Sequence, residues 1–276
     1  MKKIAIATCE KFPNLIESEQ GLPELLKSYG IEATPLVWDD PEVDWKAYDR
    51  VLIRTVWDYV QKIDNFKGWL ARLNEQKIPM SNPYSTLTWN MDKHYLLDLE
   101  KKGCTLPPTL FLDAGETVNL PWEKAVLKPT IAAGGHHNRI LEKPFHEIVR
   151  VPLSGAWMLQ EYLKEITTQG EWALIFFGGK FSHAVIKRPA EGEFRVQPRF
   201  GGTTTLETPP AEILYQAQKI IDALEFPCVY ARVDGVSVHG TLMLMELELI
   251  EPDLFLGFDP ASPQRFSSAI RQKTFH

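Results

Sequence analysis

The stretch Tyr230–Pro252, YARVDGVSVHGTLMLMELELIEP, decides how the rest of the chain reads. Two apolar runs flank the pair His239-Gly240, a pattern that predicts an antiparallel hairpin. Three acids stand inside it, Asp234 on the first strand and Glu246 and Glu248 on the second. Residues two apart on a strand share a face, so Arg232 goes with Asp234, and Glu246 goes with Glu248. Their neighbours (Tyr230, Val233, Val236, Leu242 to Met245, Leu247, Leu249, Ile250) are apolar on both faces, as in a covered strand. Carboxylates placed there are costly unless a cation answers them. Two readings follow. Either this is a partly exposed edge strand whose acids meet Arg or Lys, or the acids hold a divalent metal through hard oxygen ligands. The metal reading constrains the turn, because Asp234 faces the same way as Glu246 and Glu248 only with an odd-numbered loop or a bulge. A loop of Val238-His239-Gly240 with Gly240 left-handed satisfies that, whereas a plain two-residue turn puts Asp234 on the other face.

Length and composition bound the rest. A chain of 276 residues buries a large core and holds one large domain or two to three small ones. Apolar content of 44% and charged content of 24% are those of an ordinary globular enzyme, and a net charge of −6 argues against nucleic acid as partner. Three scattered cysteines, Cys9, Cys104 and Cys228, form no disulfide or zinc framework and suit a reducing cytoplasm. MKKIAIATCEKF reads as a first strand rather than a signal segment, and no run approaches a membrane span.

Residues 1–85 alternate apolar strands (Ile4–Thr8, Thr34–Trp38, Arg50–Arg54, Ile78–Met80) with helices near Gly21–Tyr29 and over Asp64–Lys77. The second helix carries Phe66, Trp69, Leu70 and Leu73 at helical spacing, with Asp64 as its expected cap. This rhythm predicts a small parallel sheet with a ligand crevice beyond the strand ends. Thr8-Cys9-Glu10 and Arg54-Thr55-Val56-Trp57-Asp58-Tyr59 belong at that crevice, making Arg54, Thr55, Trp57 and Asp58 candidate substrate contacts. The alternative is a surface loop with a packed Trp57 and an Arg54–Asp58 ion pair. Ser81–Asn90 reads as a linker, Met91–Lys102 as a helix stopped by Gly103, and Thr208 as the cap of a helix whose core face is Ile213, Ala217, Ile220, Ile221 and Leu224. Further along, a strand Ala125–Lys128 meets the small-residue loop through Gly134-Gly135, where backbone N–H groups can approach phosphate. His136 and His137 in that loop read as surface rather than metal ligands. A strand Trp157–Leu163 and a hairpin of Glu171–Phe177 with Phe181–Arg188 follow, then a charged, glycine-containing loop of the lid type, Glu191–Gly202.

The pairing of R-V-D with M-E-L-E resembles the C-terminal signature of the ATP-grasp ligases, among them glutathione synthetase, the ribosomal-protein glutamate ligase and D-alanine:D-alanine ligase. ARVDGV…LMELELIEPDLFL resembles more closely still a small branch that contains the ATP-grasp enzyme of D-cycloserine biosynthesis. The resemblance is patchy before Asn90 and strong from Lys128 to Leu256. It implies an α/β fold, α+β in its C-terminal part. A parallel-sheet domain (1–85) would be followed by a central ATP-grasp subdomain (86–160) and a C-terminal one with the metal site (161–276), the last two sandwiching ATP.

The resemblance also implies roles. Lys93, Lys128 and Lys187 would meet the phosphates, Gly134 and Gly135 would cover them, and Arg195 would grip the γ-phosphate. Gln160, Glu161 and the backbone of Tyr162-Leu163 would face adenine, and Glu171 would accept from the ribose. Asp234, Glu246 and Glu248 would hold magnesium, two ions in number, and Arg232 would stabilise the acyl phosphate. Gln197 stands where relatives often have asparagine. Two departures are visible: Glu248 where many relatives carry asparagine, and Glu251-Pro252 in place of a Pro-Gly turn. Glu251 is left open, as a further ligand or an amine contact. The implied activity is ATP-dependent joining of a small, amino-acid-like carboxylate to an amine, in a cytoplasmic enzyme that forms homo-oligomers as many relatives do. Alternatives on the same scaffold are a small-molecule kinase and a non-catalytic nucleotide-binding regulator.

Overall fold

The computed structural model describes residues 1–135 and 137–275. The chain opens with β1 (Lys2–Thr8), α1 (Leu22–Ser28), β2 (Ile31–Val37), β3 (Arg50–Ile53) and α2 (Ile63–Glu75). The strands form a parallel sheet in the order β2-β1-β3, as the alternating pattern predicts. Ile4 to Ala7 are wholly buried because helices cover the sheet, and α2 turns Phe66, Trp69, Leu70 and Leu73 into a cluster with Trp38. Asp64 does not cap α2: a 3-10 turn over Tyr59–Lys62 runs straight into the helix, which leaves Asp64 in its first turn. Ile78–Met80 makes only a single bridge, Met80 to Val51, rather than a fourth strand.

The presumed linker is a structured brace. After Pro83, α3 (Tyr84–Asn90) forms, and α4 begins only at Tyr95 and runs to Lys101. The polar residues that read as loop are buried here. Asn82 donates to Tyr230 O (3.0 Å) and Leu249 O (2.7 Å) and accepts from Val229 N (2.8 Å). Asn90 donates to Leu247 O (2.7 Å) and accepts from Leu249 N (2.9 Å).

Next come β4 (Thr109–Leu112), β5 (Thr117–Asn119), β6 (Lys124–Pro129), β7 (Arg139–Glu142), β8 (Ile148–Arg150) and β9 (Trp157–Glu161). Four of them make an antiparallel sheet, β4-β9-β6-β7, and β5 pairs with β8. The short α5 (Glu165–Thr168) leads into β10 (Glu171–Phe177), β11 (Lys180–Arg188) and β12 (Thr203–Leu206). Then α6 (Ala211–Asp222), β13 (Tyr230–Val238), β14 (Thr241–Glu248) and α7 (Ser262–Phe275) complete the chain. Pro210, not Thr208, stands at the N-cap of α6. The five-stranded sheet β12-β11-β10-β13-β14 packs α6 on one face, through Ile213, Ala217, Ile220 and Leu244. Its other face meets the N-terminal sheet, where Ile4, Ile6, Ala173, Ile175 and Phe266 share one cluster. No helix among the described residues is long and apolar enough to cross a membrane.

Candidate active site

The hairpin that opened the sequence reading has a two-residue turn, with Val238 paired to Thr241 and both His239 (φ 51°) and Gly240 (φ 83°) left-handed. Of the two devices that keep Asp234 on the acids' face, an odd loop or a bulge, the odd loop is not the one used. The face assignment survives because of a bulge: Gly235 pairs with Leu244 and Asp234 with Glu246, so Met245 is the extra residue. Asp234 therefore lies directly opposite Glu246, and Arg232 opposite Glu248, all on one face.

That face is a network of charge. Arg232 donates from Nε to Asp234 Oδ1 (2.9 Å) and from Nη2 to Asp234 Oδ2 (2.8 Å), and pairs with Glu248. From the next strands, Lys187 Nζ sits 2.6 Å from Glu171 and 3.0 Å from Asp234. Lys93 Nζ reaches Glu246 (3.0 Å) and donates to Ala132 O (2.8 Å). Four carboxylates thus face three cations. Burial disfavours charge on Asp234, but Arg232 and Lys187 outweigh it and hold the carboxyl below its ordinary range. Burial pushes Glu171 up despite Lys187. It also pushes Glu248 up against the pull of Arg232, with repulsion from Glu246 and Asp234 adding to the effect.

Among the described residues, no three His, Cys, Asp or Glu side chains converge on one point as a metal cage. The acids are turned to Lys and Arg instead. The donor set nonetheless suits magnesium: hard oxygens on one face, in register, with a surplus of negative charge that a divalent cation relieves.

On the opposite wall, Lys128 Nζ donates to Gln160 (2.9 Å), whose amide donates to Thr109 (2.9 Å). Burial lowers the Lys128 ammonium to about 8. The amides of Glu161 and Tyr162 are taken by Pro108 O (2.9 Å) and Lys124 O (3.0 Å). Gly134 (φ 63°) and Gly135 (φ 71°) adopt the left-handed conformation, and the lid-type loop closes on them. Arg199 bonds Gly134 O, and the Gln197 side chain lies against Gly135, where an added Cβ would sit 3.1 Å from its Oε1. Arg195 stays within its own loop, held by Glu193 (Nη2–Oε2 2.7 Å) and stacked on Phe200 at 3.5 Å. His137 is exposed, and His136 lies outside the described residues.

The N-terminal candidates divide. Arg54 is drawn out of the crevice: it is 1% exposed, paired with Glu19, donates to Pro252 O (2.8 Å) and lies over the Tyr230 ring. A guanidinium desolvated this far is stable only beside a buried carboxylate, and Glu19 supplies it. Thr55 bonds Thr8 (2.5 Å), and Asp58 serves Trp38 Nε1 and Lys62 (2.8 Å each) rather than Arg54. Trp57 alone of the four reaches the charged site, donating to Glu251 O (3.0 Å). Sequence reasoning missed Asn82, Asn90 and Tyr95, whose hydroxyl accepts from Leu247 N (2.8 Å). Their side chains act on distant backbone, and no local pattern announces that.

A family model described as the N-terminal domain of D-cycloserine synthetase DcsG matches residues 4–82. The chain is similar to the cycloserine biosynthesis protein DcsG of Streptomyces lavendulae, 27% identical over 280 residues that cover 91% of this chain and 92% of that protein. The crystal structure of D-cycloserine synthetase DcsG superimposes with a TM-score of 0.85 at 23% identity, covering 99% of both chains. D-alanine–D-alanine ligase from Bacillus anthracis, complexed with ATP, gives 0.68 at 18% identity over 100% of this chain and 98% of that one. The chain therefore has the fold of these ligases, and that fold surrounds the paired Arg232-Asp234 and Glu246-Glu248.

Proposed function

We infer that the protein is an ATP-dependent ligase that activates a small carboxylate and joins it to an amine, releasing ADP and phosphate. The observation that carries this is the bulged hairpin, which sets Asp234 against Glu246 and Arg232 against Glu248, with Lys93 paired to Glu246 and Lys187 to Asp234. The D-cycloserine and D-alanine–D-alanine enzymes it resembles support the reaction class. A carboxylate resists amines because its leaving group is poor. Attack of a carboxylate oxygen on the γ-phosphorus of ATP expels ADP and gives an acyl phosphate. The amine then attacks the carbonyl carbon, phosphate departs, and the nitrogen gives up a proton. The protein's part is positioning and charge neutralisation.

Asp234, Glu246 and Glu248 would hold magnesium, which when bound neutralises phosphate charge. Lys93, Lys128 and Lys187 lie around the same space and neutralise the rest, with Arg195 entering if its loop lets go of Glu193. Residues 160–163 receive adenine, and Glu171, beside Lys187, the ribose. Arg232 is the donor nearest the acids and serves the acyl phosphate and the tetrahedral oxyanion. We assign residues 1–85 to substrate recognition, and 86–160 and 161–276 to the two walls around ATP.

Hydroxylamine trapping tests the reading. With magnesium-ATP, a pool of amino acids and other small carboxylates, and hydroxylamine, the ligase yields a hydroxamate together with ADP. ADP with a phosphorylated product and no hydroxamate would identify a kinase instead. Arg232→Ala should lower turnover about 100- to 1000-fold, as loss of an oxyanion donor does, while magnesium-ATP binding persists. Turnover within tenfold of wild type would remove Arg232 from that role.

A further inference from the structure

β14 is an edge strand, the last in the order β12-β11-β10-β13-β14, yet its open edge is occupied. An edge ordinarily presents a row of unpaired N–H and C=O groups. Here Leu244 N donates to Thr105 O (2.8 Å), Leu247 N to Tyr95 Oη (2.8 Å) and Leu249 N to Asn90 Oδ1 (2.9 Å). In the other direction, Asn90 Nδ2 donates to Leu247 O (2.7 Å) and Asn82 Nδ2 to Leu249 O (2.7 Å). The Asn90 amide therefore bonds two alternate residues of β14, as a peptide of a neighbouring strand would. The outward N–H groups belong to residues 249, 247 and 244, and the longer step spans Met245, so this edge reads the bulge as well. Asn90 ends α3 and Tyr95 begins α4, both buried, and Lys93 between them in sequence pairs with Glu246 (3.0 Å). Leu247 is the residue between the acids Glu246 and Glu248, and Tyr95 and Asn90 hold its N–H and its C=O. Any bulky or charged cover shields an edge from other chains. Two buried side chains that grip the one residue between two acids fix something more particular, the spacing and tilt of those carboxylates.

We propose that Asn90 and Tyr95 are positioning residues of the metal site, standing in for a further strand so that Glu246 and Glu248 leave β14 at the spacing one divalent cation needs. This rests on the ligase reading above, in which those acids hold magnesium. Both residues act through the Leu247 backbone, on ligands rather than on the metal or the nucleotide. Loss of such an outer partner lowers metal affinity about 10- to 100-fold. A purely structural role predicts a different phenotype: lower stability, with the folded molecules binding magnesium and nucleotide as before.

The assay is titration calorimetry of the whole chain with a non-hydrolysable ATP analogue, with and without magnesium, well below the unfolding temperature of each variant. The quantity read is the gain in nucleotide affinity that magnesium brings. Tyr95→Phe keeps the ring in its core cluster and removes only the acceptor of Leu247 N. It should cut the magnesium gain about tenfold and leave metal-free affinity unchanged, the low end for an outer partner. Asn90→Ala frees both Leu247 O and Leu249 N and should cut the gain further, towards about 100-fold; where it fails to fold, Tyr95→Phe carries the test. Leu26→Ala, a core loss in α1 that also lowers stability, should keep the wild-type gain. The assignment is overturned if Tyr95→Phe keeps the magnesium gain within about twofold of wild type, or if Leu26→Ala loses as much as Tyr95→Phe, since either outcome leaves the two residues a structural role alone. An equal loss with and without magnesium in Tyr95→Phe overturns it too, because the damage then lies in the nucleotide pocket and not at the acids. Failure of the underlying reading shows separately, as wild type that binds the analogue no better with magnesium than without; the metal site then falls, and this assignment with it.

Discussion

Replacing Asn82 with alanine should destabilise the whole molecule, although the residue lies in a stretch that reads as a linker. Its amide nitrogen serves two carbonyls, Tyr230 O and Leu249 O, and its oxygen serves Val229 N, all in a position 1% exposed. Alanine leaves those three backbone groups buried without partners, at about 1–3 kcal/mol each. Even at the low end, with water entering to recover part of the loss, the total is roughly 3 kcal/mol, a large share of the about 5–15 kcal/mol that holds a domain together. For a chain of this size that lowers Tm by roughly 6–12 °C. Asn82→Asp keeps the shape and the acceptor but turns an oxygen onto two carbonyls, so it should be at least as damaging at neutral pH. Differential scanning calorimetry of both variants decides the matter, and a shift below about 2 °C in each would refute the reasoning, since a solvated linker residue contributes within about 0.5 kcal/mol. The functional consequence follows from position. Val229-Tyr230 and Leu249 are the open ends of the hairpin that carries Arg232 and Glu248, so surviving Asn82→Ala protein should lose turnover before nucleotide affinity.

Two further outcomes are expected. Lys187→Met removes the cation between Glu171 and Asp234, leaving Glu171 without the one close cation it has among the described residues and Asp234 dependent on Arg232. Chemical denaturation should show a loss of about 3–5 kcal/mol, the usual result of breaking a buried pair, and a loss under 1 kcal/mol would mean water reaches the pair. The Lys128 ammonium, lowered by burial to about 8, must be charged to meet a phosphate. Nucleotide binding should therefore raise its proton affinity, take up protons near pH 8 and weaken as pH rises from 7 to 9. Calorimetry in buffers of different ionisation enthalpy measures that uptake, and Lys128→Met should abolish it; an unchanged uptake in the variant would assign the proton elsewhere.

What was legible in the chain was what period and composition control. The parallel βαβ order of the first 82 residues came from apolar runs alternating with a helical stripe, and Phe66, Trp69, Leu70 and Leu73 are buried where their spacing puts them. The paired acids and Arg232 were legible too, because charge inside an apolar strand is costly wherever it occurs. Polar residues whose partners are distant backbone were not. Asn82 and Asn90 carry the composition of a loop and the burial of a core, and only the far hairpin tells the two apart. Arg54 was misplaced for the same reason. A guanidinium at a strand end points equally to a substrate and to Glu19, and Glu19 lies in a turn no periodicity marks.

The hairpin shows that one face assignment can rest on either of two devices. Parity requires an odd loop or a bulge, and the turn residues decide between them: His239 and Gly240, both left-handed, form the two-residue turn whose twist matches its strands. Parity is then restored at Met245, five residues from the turn and beside the acids themselves. The placement has a consequence for the site. A bulge leaves one residue outside the ladder and increases local twist, so Glu246 leaves the ladder at a different angle from Glu248 and meets Lys93 while Glu248 meets Arg232. An odd loop would have put the acids on one face in a flat ladder; the bulge puts them on one face and sends neighbouring carboxylates to different cations.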